Sequence, residues 1–216
     1  MTTDPLAAPL TLGELERDAL TEIVNIGVSR AAASLRKMVN EQVLLSVPAI
    51  DVVSQVRAAR LISERELTAL VAVKQDFAGA FEGRALLIFP EEDSLELARA
   101  VTHDELDARE LLEMEHEALA ETGNVILNSC LATMANMLRQ SLTMTIPEVI
   151  RGNSQMLFAG WADGPADGLV LFFYIDFTIR QRNIRGYIAI LMNLPALAAL
   201  KQLIADFIVR IVGNDG

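Results

Sequence analysis

A carboxylate and a carboxamide recur in this chain at one spacing. Glu22 precedes Asn25 by three residues; Asp18 stands four residues before the Glu, and Pro48 follows the Asn after 22 intervening residues. Glu117, Glu121, Asn124 and Pro147 repeat that order and spacing, each shifted by 99 positions. Residues three apart on a helix share a face and can act together. A carboxamide both donates and accepts hydrogen bonds. It can therefore hold a water in line with a phosphoryl group, the task of the water-positioning Gln in small GTPases. A neighbouring Glu can pair with a basic residue of a protein substrate. The combination points to assisted phosphoryl hydrolysis in which the partner supplies most of the site.

Other chemistry fits less well. A lone Glu-x-x-Asn is ordinarily a solvated helix face. Asn is a mediocre helix former, however, so mid-helix placement needs a reason. Recurrence at a constant distance to Pro weakens the solvated reading, although a duplicated fold can also keep both residues for structure. No plausible Ser/His/Asp triad is present. The two histidines, His103 and His116, have no Cys nearby, which argues against zinc, and both read as solvated helix termini. A glycosidase-type carboxylate pair is possible in principle, but the acids lie on an exposed-looking stripe.

The elements that must position these residues can be read from periodicity. Thr11 and Glu14 form a capping-box pattern, and Leu12, Leu15, Ala19, Ile23 and Ile26 recur at helical spacing, so a helix is expected over 11–39. Asp18, Glu22, Asn25 and Ser29 form its opposite stripe. Gly27 inside that helix costs about 1 kcal/mol relative to Ala, which suggests close packing against another element. Residues 43–53 read as a buried strand or a short hairpin around Pro48. A short helix over 63–70, strands over 69–77 and 83–90, and a helix from Pro90 to about Thr102 follow. A second helix over 104–142 carries the second pattern. Strands near 142–150, 155–162, 169–179 and 184–192 and a closing helix over 195–211 complete the chain. Val71–Phe77 (VAVKQDF) aligns with Leu171–Phe177 (LFFYIDF), and Arg84–Ile88 resembles Tyr187–Leu191. A period near 100 residues is too long for a solenoid. It implies an α+β fold of pseudo-twofold duplicated αβ halves, with two long motif-bearing helices packed on one continuous, mainly antiparallel central β-sheet. The expected organisation is a flexible lead over 1–10 and a single domain over 11–216, made of repeats at about 11–103 and 104–211.

Composition narrows the partners. Hydrophobic residues make up 52% of the 216, enough for a sizeable core. No apolar run approaches the roughly 20 residues that span a bilayer. The first 15 residues lack a basic segment followed by an apolar one, so no signal peptide is expected. A single cysteine, Cys130, fits a reducing cytosol and reads as buried and inert. The net charge of −11 argues against nucleic acid and anionic membranes and suits a protein partner that offers a basic site. Asn128, one turn after Asn124, reads as solvated helix surface rather than an extension of the contact face. Trp161, Ala162 and Gly164 fall in a turn-rich segment open to a partner contact that nothing in the sequence tests.

The stretches DALTEIVNIGVSRAAASL (18–35) and ETGNVILNSCLATMANML (121–138) resemble the two signature helices of the CheC family of chemotaxis phosphatases, which includes CheX and FliY. The family signature, Asp or Ser, then Glu, Asn and a distant Pro, matches in full at Asp18, Glu22, Asn25 and Pro48. The second copy matches at Glu121, Asn124 and Pro147 but has Glu117 at its first position. FEGRALLIFPEEDSLELA (81–98) resembles the family's strand-to-helix unit between halves. The resemblance covers roughly 12–205. It implies a cytoplasmic chemotaxis hydrolase acting on the aspartyl phosphate of CheY-type receivers in two-component signalling. In that reading Asn25 and Asn124 orient the attacking water, and Glu22 and Glu121 pair with the receiver's lysine. Asp18, Glu117, Pro48 and Pro147 are supporting residues. The chain needs no cofactor or metal of its own, since Mg2+ comes with the receiver. The CheD deamidase is a further partner that the resemblance allows.

The competing reading is a non-catalytic receiver-binding or CheD-binding module of the FliM/CheC fold. Intact Glu-x-x-Asn pairs favour the enzyme, because a scaffold has no need of them. A ligand sensor between the halves has no motif behind it.

Overall fold

In a computed structural model of the protein, residues 12–47, 50–102, 108–159, 169–179 and 182–212 are described. The first half runs α1 (Glu14–Val39), β1 (Val43–Ser46), β2 (Ile50–Ser54), α2 (Gln55–Ser63), β3 (Leu70–Gly79), β4 (Gly83–Pro90) and α3 (Glu91–Val101). The second repeats that order as α4 (Ala108–Met137), β5 (Leu142–Met144), β6 (Glu148–Gly152), α5 (Ser154–Phe158), β7 (Leu169–Ile179), β8 (Arg182–Met192) and α6 (Leu194–Val212). Thr11, Pro48, His103 and the Trp161–Gly164 segment lie outside the described residues, as does the 1–10 lead.

The strands form one antiparallel sheet ordered β1-β7-β8-β4-β3-β5, with β2 also on β7 and β6 also on β3. The halves meet where β4 pairs with β8, and each lends its short strands to the other. Thus β1 and β2 pair with β7, while β5 and β6 pair with β3. Each motif helix is therefore followed by strands that belong to the opposite half's edge.

Both faces of the sheet are covered, which explains why its strands alternate poorly between apolar and polar. Val71, Val73, Phe77, Leu171, Phe173 and Phe177 face a core shared with α1, α4 and α6. Leu70, Ala72, Val170 and Phe172 face a smaller core under α2 and α5. The two long helices meet closely: a Cβ on Gly27 would stand 2.9 Å from Cys130 Cα. On α4, a Cβ at Gly123 would stand 2.5 Å from Val73 Cβ, so this helix lies directly on β3.

Several expectations shift in detail. The buried stripe of α1 is Leu20, Ile23, Val24, Gly27, Val28, Ala31, Leu35 and Val39, with Gly27 against Cys130 of α4, whereas Leu15 in the first turn is exposed. Residues 43–53 form neither one strand nor a hairpin: β1 and β2 pair successively with the same strand, β7. The helix expected over 63–70 lies instead at 55–63. Ser54 caps it, accepting from the Arg57 N–H at 3.3 Å, and the Ser63 hydroxyl bonds back to Arg60 O, marking its end. Likewise 155–159, the described part of the strand expected over 155–162, forms no strand. Asn153 accepts from the Met156 N–H at 2.9 Å and starts α5, whose Leu157 and Phe158 are buried. In the strand registers Asp76 pairs with Arg84 and Asp176 with Arg185. Arg84 thus corresponds to Arg185, two residues from the Tyr187 suggested by sequence.

Candidate functional site

Both motifs sit where helical spacing puts them. Asp18 and Glu22 on α1, and Glu117 and Glu121 on α4, are exposed. Asn25 and Asn124 are half-buried, where each helix turns from solvent toward the layer below. Glu22 and Asn25 line an open groove of about 380 Å³ with Ser29 and Arg30. Asn124 lines a second groove of about 460 Å³ with Gln75, Asn128, Thr145 and Pro147. Each Glu and its Asn therefore share a face, and each Asn opens to a surface depression.

The two carboxamides are held differently. Asn25 Nδ2 donates to Val47 O at 3.1 Å, and Asn25 Oδ1 accepts from the Val47 N–H at 3.0 Å. This reciprocal pair ties α1 to the residue that follows β1, directly before Pro48. It gives a physical reason for the fixed spacing between Asn and Pro: the carboxamide secures the main chain where the edge strand breaks. Val47 is buried beneath this contact.

In the second copy the matching residue, Ile146, is 88% exposed, and no hydrogen bond ties it to Asn124. Gln75, a buried β3 residue, reaches up instead. Its Nε2 shares two hydrogens among three acceptors: Thr145 O at 2.9 Å, and the longer contacts to Asn128 Oδ1 at 3.2 Å and Asn124 Oδ1 at 3.3 Å. Asn128 Nδ2 also donates to Asn124 Oδ1, at 2.6 Å. Thr145 O can only accept, which fixes the orientation of the Gln75 amide. The Gln75 Oε1 atom is buried without a hydrogen-bond partner. Asn124 Oδ1 has two donors, whereas no described residue accepts from its Nδ2.

Asn128 is thus no solvated bystander; it is half-buried and bonded to Asn124. Gln75 escaped the motif reading although a signal was present. In the aligned strands VAVKQDF and LFFYIDF, Gln75 stands where the other half has Ile175, a lone amide among apolar residues. Pro147 is half-buried at the groove's edge, consistent with a supporting role. Cys130, on α4 where it meets α1, is buried, and burial pushes its thiol pKa up to about 12.

Residues 71–158 match the family model for "Chemotaxis phosphatase CheX". That span includes the second motif and not the first. A curated relative, "Flagellar motor switch phosphatase FliY" of Bacillus subtilis (strain 168), is 25% identical over 140 residues. The alignment covers 64% of this chain and 36% of that protein, so the chain spans about a third of its relative's length. Among solved structures, Thermotoga maritima FliY superposes with a TM-score of 0.72 at 18% identity, covering 91% of this chain and 98% of that one. The CheX-CheY-BeF3-Mg+2 complex from Borrelia burgdorferi has a matching chain with a TM-score of 0.51 at 18% identity, covering 80% and 99%. Among the described residues, no helix is long and apolar enough to cross a membrane.

Proposed function

We propose that this chain, which is similar to CheX and FliY proteins, hydrolyses the aspartyl phosphate of a CheY-type receiver domain. The observation that carries this reading is the pairing of an exposed Glu with a groove-facing Asn, once on each long helix. The solved complex named for CheX and CheY supports a receiver as the partner class.

In this proposal Glu121 or Glu22 pairs with the receiver's lysine and sets the helix across the phosphorylated aspartate. The Asn carboxamide then displaces bulk solvent and holds one water behind the phosphorus, opposite the aspartyl oxygen. Water attacks phosphorus as the P–O bond to the aspartyl group breaks. The bonding pair leaves with the aspartate as carboxylate, both water protons end on phosphate, and one passes to solvent near neutral pH. Mg2+ held by the receiver neutralises the phosphoryl oxygens. The contribution of this chain is positioning, which can supply several kcal/mol of barrier reduction. Net charge of −11 suits a partner that presents its basic groups at the contact.

One observation favours a narrower role for the first copy. Asn25 commits one N–H and one oxygen lone pair to Val47, so its carboxamide is turned toward that main chain and keeps only its second N–H and second lone pair for a water. A module that binds receivers, or CheD, without catalysis would need neither Asn free. The deciding experiment follows phosphate loss from each CheY-type receiver of the source organism, phosphorylated with acetyl phosphate. Acceleration by the wild type, and its loss in the folded N25A/N124A protein, is the expected outcome. An unchanged rate in the double variant would exclude the mechanism, and no acceleration of any receiver would leave the binding module standing.

A further inference from the structure

The two halves repeat each other closely on the sheet, yet they differ beneath the Asn residues. Strand β3 carries Gln75 where β7 carries Ile175, and α4 carries Asn128 where α1 carries Ser29. Both strand positions face the helix layer and are buried. Ile175 joins the apolar core there, as expected of that face. Gln75 places an amide in it and leaves Oε1 unpartnered, a defect that native interiors seldom keep without a use.

What the amide achieves is the hold on Asn124. Gln75 Nε2 and Asn128 Nδ2 converge on Asn124 Oδ1, and Thr145 O anchors Gln75 from the other side. With its oxygen held from below, the Asn124 carboxamide presents Nδ2 as its unpaired end at the groove. Asn25 has no such support and turns to Val47 instead. We propose that Gln75, assisted by Asn128, is a positioning residue for Asn124, which makes the second motif the preorganised site. The proposal rests on the phosphatase reading above. Its chemical sense is that a carboxamide fixed before the partner arrives loses no rotamer freedom in the bound complex.

The test uses the full chain in an N25A background, so that only the second motif acts. Q75I installs the residue of the other half, and Q75M keeps the length of Gln without its amide. Single-turnover phosphate loss is measured from an acetyl-phosphate-phosphorylated CheY-type receiver of the same organism. Both variants are expected to lower kcat by about ten- to a hundredfold, the scale of a misplaced positioning group, with KM little changed. Melting temperature should change little, because losing the Nε2 hydrogen bonds is offset by removing the buried, unpartnered Oε1. A residue kept merely for structure would give the opposite: a falling melting temperature and an unmoved kcat. A second readout needs no turnover. The Asn124 side-chain amide resonances, assigned by their loss in N124A, should shift in Q75M. Unmoved resonances, or an unchanged kcat in folded Q75M and Q75I, would overturn the proposal while the phosphatase reading stands. A wild type that accelerates no receiver would remove that reading and this proposal together.

Discussion

Asn25 and Val47 are joined by two hydrogen bonds, at 3.1 and 3.0 Å, that occupy both ends of one side-chain amide and both main-chain groups of one residue. The contact links a helix of the first half to a strand end that is itself paired with the second half. N25A would leave Val47 N–H and C=O without these partners, at a cost of about 1–3 kcal/mol. N25D can still accept from the N–H but sets a carboxylate oxygen against the carbonyl, so it should be at least as destabilising. For a chain of this size, each kcal/mol lowers the melting temperature by about 2–4 °C. N124A, whose main-chain neighbours do not depend on it, should melt closer to wild type. In the phosphatase assay the order should reverse, with the larger loss in N124A. Calorimetry beside the assay checks both halves of this expectation, and equal melting losses would contradict it.

Gly27 is expected to resist any side chain. A Cβ there would stand 2.9 Å from Cys130 Cα and 3.2 Å from Ser129 O. These are main-chain atoms of the facing helix, which cannot rotate away as a side chain could. G27A should therefore push α1 from α4 and cost about 1–3 kcal/mol, the usual range for overpacking. This would reverse the gain that Gly to Ala brings in an unobstructed helix. Urea denaturation with an unchanged m-value and a lower midpoint would show it, whereas a raised midpoint would disprove the close contact.

Cys130 should be chemically silent in the native protein. It is 2% exposed, and desolvation raises its thiol to about 12, so little thiolate exists near pH 8. Reaction with Ellman's reagent at pH 8 is expected to be slow when native and to reach one equivalent in guanidinium. Rapid native labelling would mean that the helix pair opens far more readily than its packing suggests.

How far the sequence carried depended on which contacts were local. Helices α1 and α4 were legible because spacing along one chain segment decides their faces. The duplication was legible because both copies keep Glu, Asn and Pro in register. The exchange of β1 and β2 onto β7, and of β5 and β6 onto β3, was not legible, since residues distant in sequence decide it. Helix α2 was displaced because Ser63 with Glu66 imitates a capping box, while the true start at Ser54 depends on burying Ala58 and Ile62 against the sheet, a contact with distant residues. Of the site, the Glu and Asn positions could be read directly. The asymmetry between Asn25 and Asn124 could not, because it arises from Gln75, 49 residues before the Asn it holds.

Behind the sheet, Tyr187 and Glu66 offer a pH-dependent test of the smaller core. The Tyr187 hydroxyl donates to Glu66 Oε1, and both residues are buried. Burial first, and then the hydrogen bond and charge of Glu66, raise the phenol above its ordinary value near 10. Because the folded state holds this proton more tightly than the unfolded chain, the resulting stability is fully present below about pH 10. It is lost as pH rises from there through the raised folded value. Cys130, also raised by burial, adds a loss of the same sign that begins near its unfolded value of about 8.5. Denaturant midpoints should therefore be flat from pH 7 to 8 and fall progressively above pH 9. Y187F should be less stable at pH 8, since Glu66 loses a buried donor, and should show a shallower decline between pH 10 and 11. A decline equally steep in Y187F would assign the alkaline loss to other groups.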